Sequence, residues 1–201
     1  MSDYQLSAIG SLIEGTRGFT ENNGEWLVRY LRLQSLFVYF QYAVALVRAQ
    51  EENIAKMAGG QHKNFPTHAG YEDCLLKIYS STVNAYSNIR TCLETTRTLI
   101  REIGEGRYDA EFKKFRDGWG RWVDEIIERR DRVSIHPAQH VNQITWKPQS
   151  WIDDGRVTFR VIDPVNSVAS RSLTLHPRKD LEELRAYLTE LSGHLARLWS
   201  I

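Results

Sequence analysis

Three arginines, an aspartate and a histidine crowd one short stretch, Glu128-Arg129-Arg130-Asp131-Arg132-Val133-Ser134-Ile135-His136-Pro137. A guanidinium is always charged and can hold a phosphate. An imidazole can move a proton near neutral pH. Together these groups are the minimum needed to cut a phosphodiester without a metal. The rest of the chain reads as the scaffold that positions them.

On a helical wheel at about 100° per residue, Trp119, Trp122, Val123, Ile126, Ile127 and Val133 form one apolar stripe. Asp124, Glu125, Glu128 and Arg132 form the polar face. Arg130 falls in the middle of the apolar stripe and Arg129 at its edge. A charge at a core-facing position is costly unless something pairs with it. Asp131 is its neighbour in sequence but points away on an ideal helix. Arg130 therefore either reaches a carboxylate on another helix or faces a cleft.

The 201 residues, with 42% hydrophobic and 25% charged side chains, fit one soluble globular domain. A formal net charge of +1 gives no bulk attraction to nucleic acid, so any such site must be a local patch. Met1 to Leu6 has neither the basic nor the apolar region of a signal peptide. The most apolar run, Leu36 to Val47, is too short to span a bilayer. Cys74 and Cys92 fall in one predicted helix, about 27 Å apart at 1.5 Å per residue. That separation forbids a disulfide, and a reduced, cytoplasmic protein is the expectation.

Periodicity predicts a short helix over 4–14, ended by Gly15 and Gly18, and a polar capping turn at 20–24. A long helix over 25–58 carries Trp26, Leu27, Tyr30, Leu33, Phe37, Phe40, Val44 and Val47 on its apolar positions. Residues 61–70 read as a loop holding His62 and His68 as solvated side chains. A second long helix spans 71–103, and the two make an antiparallel pair. The next helix runs from 108 to about 135, with a kink expected near Gly118 and Gly120. Pro137 disfavours the helical conformation at His136 and ends it. Short strands are expected at 144–147, 156–162 and 172–175. A last helix, opened by His176-Pro177, runs to Trp199 with Leu181, Leu184, Leu188, Leu191, Leu195 and Leu198 buried. His136 and His140 are four apart, but Pro137 breaks the helix that would align them on a zinc ion. Trp146 and Trp151 flank a turn and read as hairpin packing rather than a base-stacking platform.

Arg130-Asp131 followed by His136, with five residues between the arginine and the histidine, resembles the motif of the HEPN superfamily (higher eukaryotes and prokaryotes nucleotide-binding). In that motif an arginine, usually beside a polar residue, precedes a histidine by four to six residues. Arg129 with His136 also fits the spacing, as does Arg171 with His176 in the strand region. The position at the end of a later helix, after a long antiparallel pair, is similar as well. The resemblance covers roughly residues 25–137 and the last helix. It implies a mainly α fold, an antiparallel HEPN-like helical bundle. To this the chain adds a small antiparallel β insertion over about 142–175, between a helical core of about 1–137 and 177–200.

Active members of the family are metal-independent endoribonucleases, often toxins or defence effectors, and need no cofactor. The resemblance implies that Arg130, His136 and Asp131 are catalytic, and the flanking Arg129 and Arg132 are expected to bind substrate. RNA supplies its own nucleophile in the 2′-hydroxyl. His136 then acts as general base or acid, Arg130 neutralises charge growing on the phosphorane, and Asp131 orients one of them or a water. The expected partners are RNA, a second copy of the chain, and an antitoxin or other protein encoded nearby, with no membrane. Trp119, Trp122, Ile126 and Val133 serve either as the dimer interface or as intrachain core. The alternative is a non-catalytic member: an RNA- or nucleotide-binding module or a protein-interaction module.

Overall fold

The computed structural model of the chain describes residues 6–21, 23–58, 68–134, 145–148, 157–162 and 169–200; residues 58, 68–69, 130–134 and the strands up to 173 are described by backbone alone. Five helices dominate these residues: α1 (Ser7–Arg17), α2 (Gly24–Ala58), α3 (His68–Ile103), α4 (Ala110–Ser134) and α5 (Pro177–Trp199). A 3-10 turn, Glu105–Arg107, joins α3 to α4. Between α4 and α5 lie β1 (Thr145–Pro148), β2 (Val157–Ile162) and β3 (Ala169–Leu175), in the order β1-β2-β3. Both pairings are antiparallel, with a register shift between Val161 and Ile162. The chain is thus a helical bundle with a small sheet inserted before the last helix. Among the described residues no helix is long and apolar enough to cross a membrane.

The helix ends follow from local chemistry. Asn23 Oδ1 accepts from the backbone N–H of Glu25 (3.2 Å) and Trp26 (3.4 Å), an N-cap for α2. Asp109 Oδ1 does the same for Phe112 at the start of α4 (2.6 Å). Gly104 ends α3 at φ 79°, the left-handed region that favours glycine. Pro177 opens α5, where its missing N–H is no loss.

Four local expectations are corrected. The first helix continues through Gly15 to Arg17, because Ile9, Leu12 and Thr16 bury one face; that burial outweighs the roughly 1 kcal/mol propensity penalty of a single glycine. His68 opens α3 rather than lying in the loop, while His62 lies outside the described residues. Leu27, placed by periodicity on the buried face of α2, is 44% exposed. The helix is apolar on more than one side, with Val28, Leu31, Val38, Tyr39 and Tyr42 also facing out, so periodicity alone could not pick the inner face. Helix α4 is continuous through Gly118 and Gly120.

The residues gather into two compact units. The first comprises Met1–Tyr42, Asn88–Glu125 and Leu181–Ile201; the second comprises Ala43–Ser87 and Ile126–Asp180. In the first unit, Arg32 pairs with Glu102, and the Cys92 thiol faces the Leu36 carbonyl. Its core holds Leu33, Leu36, Phe40, Phe112 and the α5 residues Leu184, Leu188, Leu191 and Leu195, all fully buried. Phe115 stacks on Tyr187 at 5.4 Å, and the Tyr187 hydroxyl donates to Thr96 Oγ1 at 3.1 Å. In the second unit, Gln50 donates to Thr82 Oγ1 (3.1 Å), and the Cys74 thiol approaches the Asn53 carbonyl (3.4 Å). Within each unit, partners on α3 descend in number as those on α2 rise. Ile78, Ala85, Tyr86, Ile126 and Leu175 line the second core.

Candidate active site

The last turns of α4 lie in the second unit. Ile126, fully buried, seats this end of the helix in the core. Three residues on, the half-buried Arg129 side chain reaches across to the first turn of α5. Its Nη1 donates to both carboxylate oxygens of Asp180 at 3.2 Å. Asp180 is 2% exposed, so the ion pair is dry on the acid side. A second donor completes the arrangement: the buried Tyr86 hydroxyl of α3 donates to Asp180 Oδ2.

Each partner has a physical reason to be there. Asp180 sits in the first turn of α5, where the helix macrodipole favours a negative charge. Its own N–H donates to the His176 carbonyl (2.9 Å) and closes that turn. Burial pushes the Tyr86 phenol well above its ordinary pKa, and the adjacent Asp180 charge and hydrogen bond push the same way; Arg129 and a backbone hydrogen bond at His176 oppose them. Tyr86 therefore stays protonated and acts as a donor, not as a base. A cation and a hydroxyl on a buried carboxylate are what a charge in a low-dielectric site requires. Chemically this Tyr86–Asp180–Arg129 triad is a strut. It ties the final turns of α4 to α3 and α5.

Of the arginines in the Arg/His stretch, Arg129 is the one whose side chain is described. Arg129, expected to bind substrate, is brought together with Asp180 and Tyr86. Arg130, Asp131 and Arg132 follow on the same helix, within its last five residues, as backbone only. His136 lies outside the described residues, so its juxtaposition with Arg130 does too. The end of α4 at Ser134 falls just before the boundary expected from Pro137. The apolar stripe of α4 is intrachain core in part: Val123 and Ile126 are buried, while Trp119 and Trp122 contact Tyr187 of α5 within the first unit. Among the described residues no three His, Cys, Asp or Glu side chains gather to hold a metal ion.

The sequence predicts a carboxylate on another helix, or a cleft, for Arg130, whose side chain lies outside the described residues; the pair described is that of its neighbour Arg129. Sequence reasoning missed Asp180 and Tyr86. A signal for Asp180 was present: it precedes Leu184 by four residues and Leu188 by eight, so it lies on the apolar stripe of α5. An acid on one apolar stripe and an arginine on another are each costly alone and natural together.

No family model, no curated protein and no solved structure matches the chain.

Proposed function

We propose that the chain is a metal-independent endoribonuclease of HEPN type, a toxin or defence effector, with its helices in the antiparallel arrangement of that family. The descending α2–α3 pairings within each unit support the arrangement. The observation that carries the activity is the strut: Arg129, Asp180 and Tyr86 fix the helix end that bears Arg130 and Asp131. Positioned charge, not covalent chemistry, is what such catalysis demands.

In this reading Arg129 is a positioning residue, and Arg130 with Arg132 meets phosphate. The 2′-hydroxyl loses its proton and its oxygen bonds to phosphorus. The bond from phosphorus to the 5′-oxygen breaks, and that oxygen takes a proton. His136 handles one or both proton transfers, and Arg130 stabilises the charged phosphorane. The products are a 2′,3′-cyclic phosphate and a 5′-hydroxyl. Self-association belongs to the same reading, since one arginine and one histidine make a sparse site. Among the described residues the exposed apolar face of α2, from Leu27 to Tyr42, offers a surface for it.

End-labelled RNA is the test, incubated with the wild type, His136→Ala and Arg130→Ala, with and without EDTA. Expected are EDTA-insensitive cleavage of RNA, none of DNA, and loss of cleavage in both folded variants. Intact cleavage by a folded His136→Ala protein removes the proposal. RNA retention without cleavage by the wild type replaces it with the non-catalytic binding module. Light scattering that shows a monomer at micromolar concentration removes the two-chain site.

A further inference from the structure

Within the first unit, a cavity of about 360 Å³ opens between α3, the 3-10 turn, α4 and α5. That is the lower end of the size range of small-ligand sites. Its walls are aromatic: Tyr108, Phe115, Trp119 and Tyr187. The polar end of each ring that has one is already engaged. The Tyr108 hydroxyl donates to the Ile100 carbonyl (2.8 Å), Trp119 Nε1 to Glu190 (2.8 Å), and Tyr187 to Thr96 (3.1 Å). Trp119 is further held edge-on against Trp122 and Tyr187, at 5.4 and 5.6 Å. The rings are thus held in place and have no further proton to donate; stacking is the interaction left to their faces.

Three arginines, Arg97, Arg101 and Arg116, also line the cavity. Arg97 pairs with Asp124, and Arg116 with Glu105 at 3.3 Å, while its guanidinium lies 5.4 Å from the Tyr108 ring centre. Both carboxylates are exposed, and such pairs are weak enough to be exchanged. Arg101 has no carboxylate partner among the described residues. The lining therefore carries one positive charge in excess, and its arginines can offer the planar donor fork that suits a phosphate.

We propose that this cavity binds a nucleoside monophosphate, with the base stacked on Trp119 and the phosphate held by Arg101 together with Arg97 or Arg116. Aromatic faces accept any nucleobase, so the site selects the combination of a ring and a phosphate rather than one base. The small volume favours a single nucleotide over a polymer. None of these residues belongs to the Arg130–His136 stretch, so the proposal stands apart from the ribonuclease reading.

Titration with AMP, followed by calorimetry and tryptophan fluorescence, tests it. Expected is saturable binding at millimolar concentration or below, and weaker binding of adenosine and of inorganic phosphate when each is offered alone. Losing one charge-assisted contact in Arg101→Gln should weaken AMP binding by about tenfold to a hundredfold. Arg101 is exposed, so this variant keeps its fold, which circular dichroism checks. The fluorescence change should disappear in Trp119→Phe. His136→Ala should bind AMP as the wild type does, so failure of cleavage and failure of this site are read separately. Absence of saturable AMP binding, an unchanged affinity in Arg101→Gln, or adenosine binding as tightly as AMP would each overturn the assignment.

Discussion

At the C-terminal end of α4, Arg129 meets a carboxylate that is 2% exposed; at the cavity, Arg97 and Arg116 meet carboxylates that are 74% and 84% exposed. The residue type and the partner type are the same. The surroundings differ, and they decide what each charge is for. Asp180 cannot be rehydrated without opening the second unit, so its cation is structural. Asp124 and Glu105 are already wet, so water or another anion can take their place with little loss. An arginine in a buried pair holds the fold, whereas one in an exposed pair remains available to a ligand.

The sharpest way to break this comparison is Arg129→Ala. It would leave Asp180 buried without that cation, its hydrogen bond from Tyr86 remaining. Removing one partner of a buried pair costs about 3–5 kcal/mol. Urea denaturation should show the midpoint falling by that equivalent, or the protein failing to fold. A loss under 1 kcal/mol would mean that the pair is as solvated as those at the cavity, and the strut would lose its meaning.

Alkaline pH probes both units at once. Burial raises the Tyr86 phenol well above its ordinary value of 10.0 in the second unit. In the first unit it raises Tyr187, and it raises the Cys92 thiol from an ordinary 9.0. Above those ordinary values the unfolded chain has released protons that the folded chain retains. Stability is therefore fully present below about pH 9 and falls as pH rises, by about 1.4 kcal/mol per pH unit for each group that has passed its ordinary value. Denaturation midpoints measured from pH 8 to 11 check the sign; a flat profile would contradict it. Tyr86→Phe sharpens the test. It should cost about 1–3 kcal/mol at pH 7, by removing a donor from a buried acceptor, and should reduce the alkaline slope. Cys92→Ala should reduce the slope from pH 9 upward.

The helices were legible because each buries a stripe whose period shows in the sequence. Leu184, Leu188, Leu191 and Leu195 recur at three and four, and all are fully buried. The strands were legible within a few residues because Pro, Gly and Asp punctuate them. The inner face of α2 was not, since Leu27 and Leu31 are as apolar as Leu33 and Leu36. The site divides along the same line. An arginine on an apolar stripe announces a need, but that Asp180, 51 residues away from Arg129, meets it there depends on how two helices cross. The cavity left only partial signals: Arg97 and Arg101, like Phe115 and Trp119, are four apart on one helix, but nothing in the sequence brings the two helices, α5 and the turn together.

The smallest change in stability carries the finest distinction. Asp124→Asn removes the partner of Arg97 and keeps the side chain's size. An exposed pair of this kind is worth about 0.2–1 kcal/mol, so the denaturation midpoint should barely move. The freed guanidinium then faces the cavity without a competing carboxylate, and AMP should bind more tightly than to the wild type. The two pairs would thus respond with opposite signs: loss of a partner at Asp180 removes fold, while loss of a partner at Arg97 adds affinity. Parallel calorimetry and urea melts on Asp124→Asn decide it. Weaker binding in this variant would mean that Asp124 orients Arg97 for the phosphate, and the contrast between buried and exposed pairs would no longer separate structure from recognition.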